Sequence, residues 1–92
     1  MKFKRYDGVI VEAFQFTADE TQERDPAWIV KALQEGIAYF ARRGTPDVML
    51  CVTEQGTKPA VTIYRGDWVI LDEHGYIVRE KEYLFPYRYF SM

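Results

Sequence analysis

Apolar and β-branched residues fill both phases of the stretch from Gly8 to Phe16, GVIVEAFQF. Ile10, Glu12, Phe14 and Phe16 share one face of an extended chain, and Val9, Val11, Ala13 and Gln15 share the other. A strand that is mostly apolar on both sides belongs inside a sheet, so this segment, opened by the turn signal Asp7-Gly8, is expected to be a central strand. The period changes after Asp25-Pro26. Ile29, Val30, Leu33 and Ile37 follow at helical spacing, with proline suited to the first turn and Asp25 available to accept orphan N–H groups. These positions predict one principal helix from residue 26 to about 35, burying Ile29, Val30 and Leu33, with Lys31, Gln34 and Glu35 in water. Gly36 is read as its C-terminal cap.

Short β-compatible runs occupy the rest of the chain. Ile37 to Phe40, Val48 to Thr53, Ala60 to Tyr64, Trp68 to Leu71 and Tyr76 to Arg79 are separated by turn residues at Gly44-Thr45-Pro46-Asp47, Glu54-Gln55-Gly56-Thr57, Arg65-Gly66 and Glu73-His74-Gly75. Glu80 to Leu84 is compatible with one helical turn, and Pro86 to Phe90 with a closing strand. One strand, one helix and a run of hairpins predict a single α+β domain over residues 1–92. Its principal helix packs on a bent antiparallel β-meander or small open barrel. The Ala60–Tyr64 strand and the closing strand are the candidates for a sheet edge, where a second copy could pair to give a homodimer.

Composition narrows the chemistry. With 92 residues, 48% hydrophobic and 16% aromatic, the chain can fold around a core without metal or disulfide staples. A single cysteine excludes an internal disulfide and any multi-cysteine zinc site. Twelve basic against fourteen acidic residues argue against a generic phosphate-backbone binder. No apolar run approaches the roughly 18 residues of a membrane span, and the start Met1-Lys2-Phe3-Lys4-Arg5 leads into a strand rather than a signal-peptide core. A cytoplasmic protein is expected.

Candidate catalytic groups are few. Ser91, the only serine, stands one residue from the carboxy terminus, and Cys51 lies within Met49-Leu50-Cys51-Val52, which reads as a core strand with an inert thiol. His74 occupies a hairpin tip, and Asp72, Glu73 and His74 are consecutive, so they cannot converge on one ion without further ligands. The glycines are isolated turn residues and make no phosphate loop. No cofactor or metal is expected. The tripeptide Arg65-Gly66-Asp67 is read as a turn before a strand, not as an integrin ligand.

Two clusters remain. Tyr83, Phe85, Tyr87 and Tyr89 alternate over Glu82 to Phe90, with Arg88 on the opposite phase. They either close the small core or form an exposed anchor patch, of which Tyr83, Tyr87, Arg88 and Tyr89 are the candidate contacts. Ala18 to Asp25 carries four acids and one arginine, a local charge of −3. It is read as a solubilising loop or, more sharply, as a rim where Asp19, Glu20 and Glu23 meet a basic surface.

Val11-Glu12-Ala13-Phe14-Gln15-Phe16-Thr17 resembles the V-E-A-x-Q-W-T opening of a group of small phage and prophage proteins. That group continues with a helix, a hairpin, P-G-D-W-I-I, a glycine-containing hairpin and a closing F-x-x-x-Y. Gly66-Asp67-Trp68-Val69-Ile70, Gly75 and Phe85 to Tyr89 stand at the matching places, while Arg65 replaces the proline and Ile77-Val78-Arg79 an aromatic-Pro-Cys stretch. The resemblance implies phage origin and a fold. By analogy it implies a non-catalytic binding protein that acts through protein–protein contacts with a host or phage protein, inhibiting a host or defence component. The alternatives are a small-ligand or nucleotide-processing enzyme using Asp67, Asp72 and His74, and a nucleic-acid-binding accessory protein.

Overall fold

The two-sided apolar strand has a structural counterpart in two separate cores. The computed structural model describes residues 1–19 and 25–92. It contains β1 (Lys2–Arg5), β2 (Ile10–Gln15), α1 (Ala27–Gln34), β3 (Ala38–Ala41), β4 (Met49–Val52), β5 (Val61–Ile63), β6 (Trp68–Leu71), β7 (Ile77–Glu80), α2 (Phe85–Arg88) and β8 (Tyr89–Ser91). The strands form a five-stranded antiparallel sheet, β7-β6-β2-β1-β8, and a three-stranded antiparallel sheet, β3-β4-β5. β2 is the central strand of the larger sheet. On one of its faces Val11 and Ala13 pack with Phe3, Ile70, Phe85 and Tyr89. On the other, Phe14 and Phe16 join Val69, Ile77, α1 through Ile29 and Ala32, and the small sheet through Leu50, Val52 and Ile63. The radius of gyration is 12.7 Å, close to the roughly 12 Å of a compact chain this long.

The architecture is α+β and mostly sheet. A single meander or barrel is corrected to two open sheets, because the two ends of the chain enter the larger one. β1 pairs with β2 through Phe3↔Val11, and β8 pairs with β1 through Phe3↔Ser91. β1 is a strand that the pattern does not reveal, with one apolar side chain among three basic ones. Ser91 is therefore held in a ladder. Both expected edge strands are edges: β5 ends the small sheet and β8 the large one.

α1 runs close to the expected span, with two corrections. Pro26 is the N-cap and no side chain caps the helix, so Asp25 does not take that role. Ala32 is buried beside Ile29, while Val30 and Leu33 pack only partly covered against the core. The other end is as expected. Gly36 adopts φ +76° and donates to the Leu33 carbonyl (3.3 Å), and the Ile37 N–H reaches the Ala32 carbonyl (2.9 Å). This pair of bonds is a Schellman stop, which glycine accommodates cheaply. Cys51 is half-buried rather than a core residue, because Leu50 and Val52 take the inward positions of β4.

The carboxy-terminal expectation also needs correction. Glu80 belongs to β7, and Phe85–Arg88 is a helical turn with β8 following, not one strand from Pro86 to Phe90. Phe85 and Tyr89 are four residues apart and stack at 4.8 Å on the inner side. Tyr83 and Tyr87, also four apart, are left outside. Among the described residues no helix is long and apolar enough to cross a membrane.

Candidate functional site

The Gly66-Asp67-Trp68 block is a folding device. Tyr64 to Asp67 is a turn in which the Asp67 N–H donates to the Tyr64 carbonyl (3.0 Å) and the Asp67 carboxylate accepts from the Tyr64 N–H (3.1 Å). Gly66 supplies the φ of +93°. Trp68 then lies against Phe85, stacked at 3.8 Å, and meets Phe3 edge-on at 5.4 Å. Asp72 does similar work one hairpin later, accepting from the His74 and Tyr76 N–H groups at 2.9 Å each. The carboxylates of Asp67 and Asp72 thus each organise their own turn, and His74 stands exposed at the hairpin tip. Among the described residues no three His, Cys, Asp or Glu side chains gather to hold a metal ion.

The aromatic cluster divides by depth. Phe85 and Tyr89 are buried, and burial, followed by the charge of Glu80, pushes the Tyr89 phenol up. Tyr89 is therefore a core residue. Tyr83 and Tyr87 are 65% and 80% exposed, beyond what an isolated core aromatic needs. Around them Lys81 sits 5.8 Å from the Tyr83 ring centroid, and Arg88 Nη1 donates to the Glu80 carboxylate (3.1 Å). The turn at Tyr83 and the outer side of α2 thus present two phenols and a guanidinium from a segment that Phe85 anchors to the core. Three of the four aromatic-cluster candidates share this surface; the alternating pattern identified them but not which side each would take.

Asp19 lies elsewhere, on a cavity of about 480 Å³ between α1 and the end of β2. Its apolar wall includes Phe14, Phe16, Ile29, Leu33, Phe40 and Leu50, and its polar wall Gln15, Thr17, Asp19 and Asp25. Burial, reinforced by the Asp19 charge, raises the Asp25 carboxyl above its ordinary value of 3.8. Glu20 and Glu23 lie outside the described residues. Sequence reading missed this cavity because its wall is drawn from β2, α1, β3 and β4 together.

Asp25 gives a pH test. A carboxyl whose folded value is raised binds its proton more tightly when folded, so its ionisation opposes folding above that value. Asp25→Asn is expected to raise the melting temperature at pH 7, with the advantage disappearing as the pH falls below 3.8. Thermal unfolding of both proteins between pH 3 and 8 checks this, and a variant melting no higher at pH 7 would contradict the assignment. No known family, curated protein or solved structure matches the chain.

Proposed function

We propose that this chain is a non-catalytic binding protein, of phage or prophage origin, that acts in the host cytoplasm by contacting a host or defence component. The observation that carries the reading is the anchored exposure of Tyr83, in the turn before α2, and of Tyr87 and Arg88 on α2. Aromatic and arginine side chains held on a short rigid element lose little entropy on docking and dominate many protein interfaces. The engagement of Asp67 and Asp72 in turn bonds supports the same reading, since an enzyme built on them and His74 would need those carboxylates for substrate.

The test is a photo-crosslinking amino acid placed in turn at Tyr83, Tyr87 and, as a control, Lys58 on the β4–β5 hairpin. A single host protein is expected to crosslink from the two tyrosine positions and not from position 58. The complex rebuilt from purified components should weaken at least about tenfold when Tyr83 and Tyr87 are both changed to Ser. Undiminished binding by a folded double variant would overturn the reading.

A further inference from the structure

A second cavity, about 530 Å³, opens where the loop between β3 and β4 faces the β5–β6 turn. Arg42, Pro46, Asp47 and Met49 form one wall, and Tyr64 and Arg65 the other. It is an open surface cleft, with Arg42, Pro46, Asp47, Tyr64 and Arg65 all exposed to solvent along it. Its charge is unusual for this molecule. Arg5, Arg79 and Arg88 each pair with a carboxylate, to Asp7 and Glu73, Asp67, and Glu80 respectively. Arg42 and Arg65 make no ion pair among the described residues, and both line this one cavity in a chain of net charge −2.

The walls are held in place before any ligand arrives. Arg65 Nη2 donates to the Pro46 carbonyl (2.9 Å), which ties one wall to the other and leaves its remaining donors uncommitted. Thr45 Oγ1 donates to the Arg42 carbonyl (2.7 Å) and accepts from the Asp47 N–H (3.3 Å), fixing the loop. Arg42 itself adopts φ +56°, a left-handed conformation that a non-glycine residue holds only where its surroundings impose it. The Tyr64 backbone is held on both sides by Asp67, and its ring is half exposed.

We infer that this cavity binds a free mononucleotide whose base carries an exocyclic amino group. Two guanidiniums suit a phosphate, which they can hold by short charge-assisted bonds. The Tyr64 ring offers a stacking face to a base, since every base has one. Asp47 would repel a simple anion, but its carboxylate is an acceptor for a base amino group. The mixture of two cations, an aromatic face and one carboxylate therefore fits a nucleotide better than a sulfate, an acidic peptide or a nucleic-acid backbone.

The experiment is a titration of the isotope-labelled full chain, followed by amide chemical shifts at low salt. The probes are AMP, GMP, CMP, UMP, inorganic phosphate and a ten-nucleotide single strand. At least one of AMP, GMP and CMP is expected to saturate and to shift residues 42–49 and 64–66, binding more tightly than UMP, phosphate or the strand. Arg42→Gly, which accepts the positive φ and so keeps the fold, and Arg65→Met should each weaken that binding about tenfold or more. No saturable shift at millimolar nucleotide would overturn the inference. So would binding of phosphate, UMP or the strand as tight as that of the amino-bearing nucleotides, shifts centred elsewhere, or undiminished binding by both folded variants.

Discussion

Trp68→Ala is expected to destabilise the protein by about 3–5 kcal/mol. The indole is sandwiched by its neighbours rather than merely covered: Phe85 stacks on it at 3.8 Å with an interplanar angle of 4°, and Phe3 meets it edge-on. Those two rings also pack at 5.0 Å on each other, and Tyr89 stacks on Phe85 from beyond. Removing the indole therefore opens a void under α2 and frees the element that holds β8. Trp68 is half-buried and packs against the core of Phe3, Val11, Ala13, Ile70, Phe85 and Tyr89. A domain of this size has a total stability of about 5–15 kcal/mol, so the substitution should leave a fold close to its threshold. Urea unfolding followed by circular dichroism measures the loss, and Trp68→Phe should recover most of it. A loss under about 1 kcal/mol would mean that the aromatic stack does not hold the carboxy-terminal segment.

The same stack shows why part of the fold was legible in the sequence and part was not. The apolar residues in both phases of β2 require cover on both of its faces, and the two cores on either side supply it. The stop at Gly36 was equally readable, because the positive φ of a Schellman turn favours glycine. Tyr83, Phe85, Tyr87 and Tyr89 are different: their spacing satisfies a strand and an i, i+4 helical pair equally well, and Pro86 is acceptable to both. Tertiary packing decides between them, since Phe85 must reach Trp68 and Phe3. β1 was hidden for the opposite reason. Lys2, Lys4 and Arg5 look like a solvated start, and only the pairing with β2 and β8 makes them a strand. At the α2 surface, composition identified the residues but the side each one faces came from that packing. At the two cavities the sequence was silent, because residues such as Arg42 and Arg65 meet only through the contact of two loops.

Gln55→Ala is expected to cost about 2–3 kcal/mol, a large effect for a polar residue in a hairpin loop. β7 is the end strand of the large sheet, with β6 on one side only. On its other side the Gln55 side chain takes the place of a neighbouring strand: Oε1 accepts from the Ile77 N–H at 2.7 Å, and Nε2 donates to the Ile77 carbonyl at 2.8 Å. Ile77 is 5% exposed, so both backbone groups would otherwise lie buried without a partner. The amide is itself fixed, because the Gln55 backbone bridges to Lys58 in both directions, with bonds of 3.1 and 2.8 Å. One side chain thereby joins the β4–β5 hairpin to the larger sheet and protects an edge that would otherwise offer its N–H and C=O groups. Gln55→Glu separates geometry from hydrogen bonding. It keeps the shape and the acceptor but loses the donor to the Ile77 carbonyl and places a charge in a partly buried position, so at neutral pH it should be at least as damaging as alanine. Hydrogen exchange gives a local readout: the Ile77 amide should lose protection in Gln55→Ala by more than the global loss explains. Unchanged protection at Ile77 in a variant of near-native stability would mean that the edge of β7 is satisfied without Gln55.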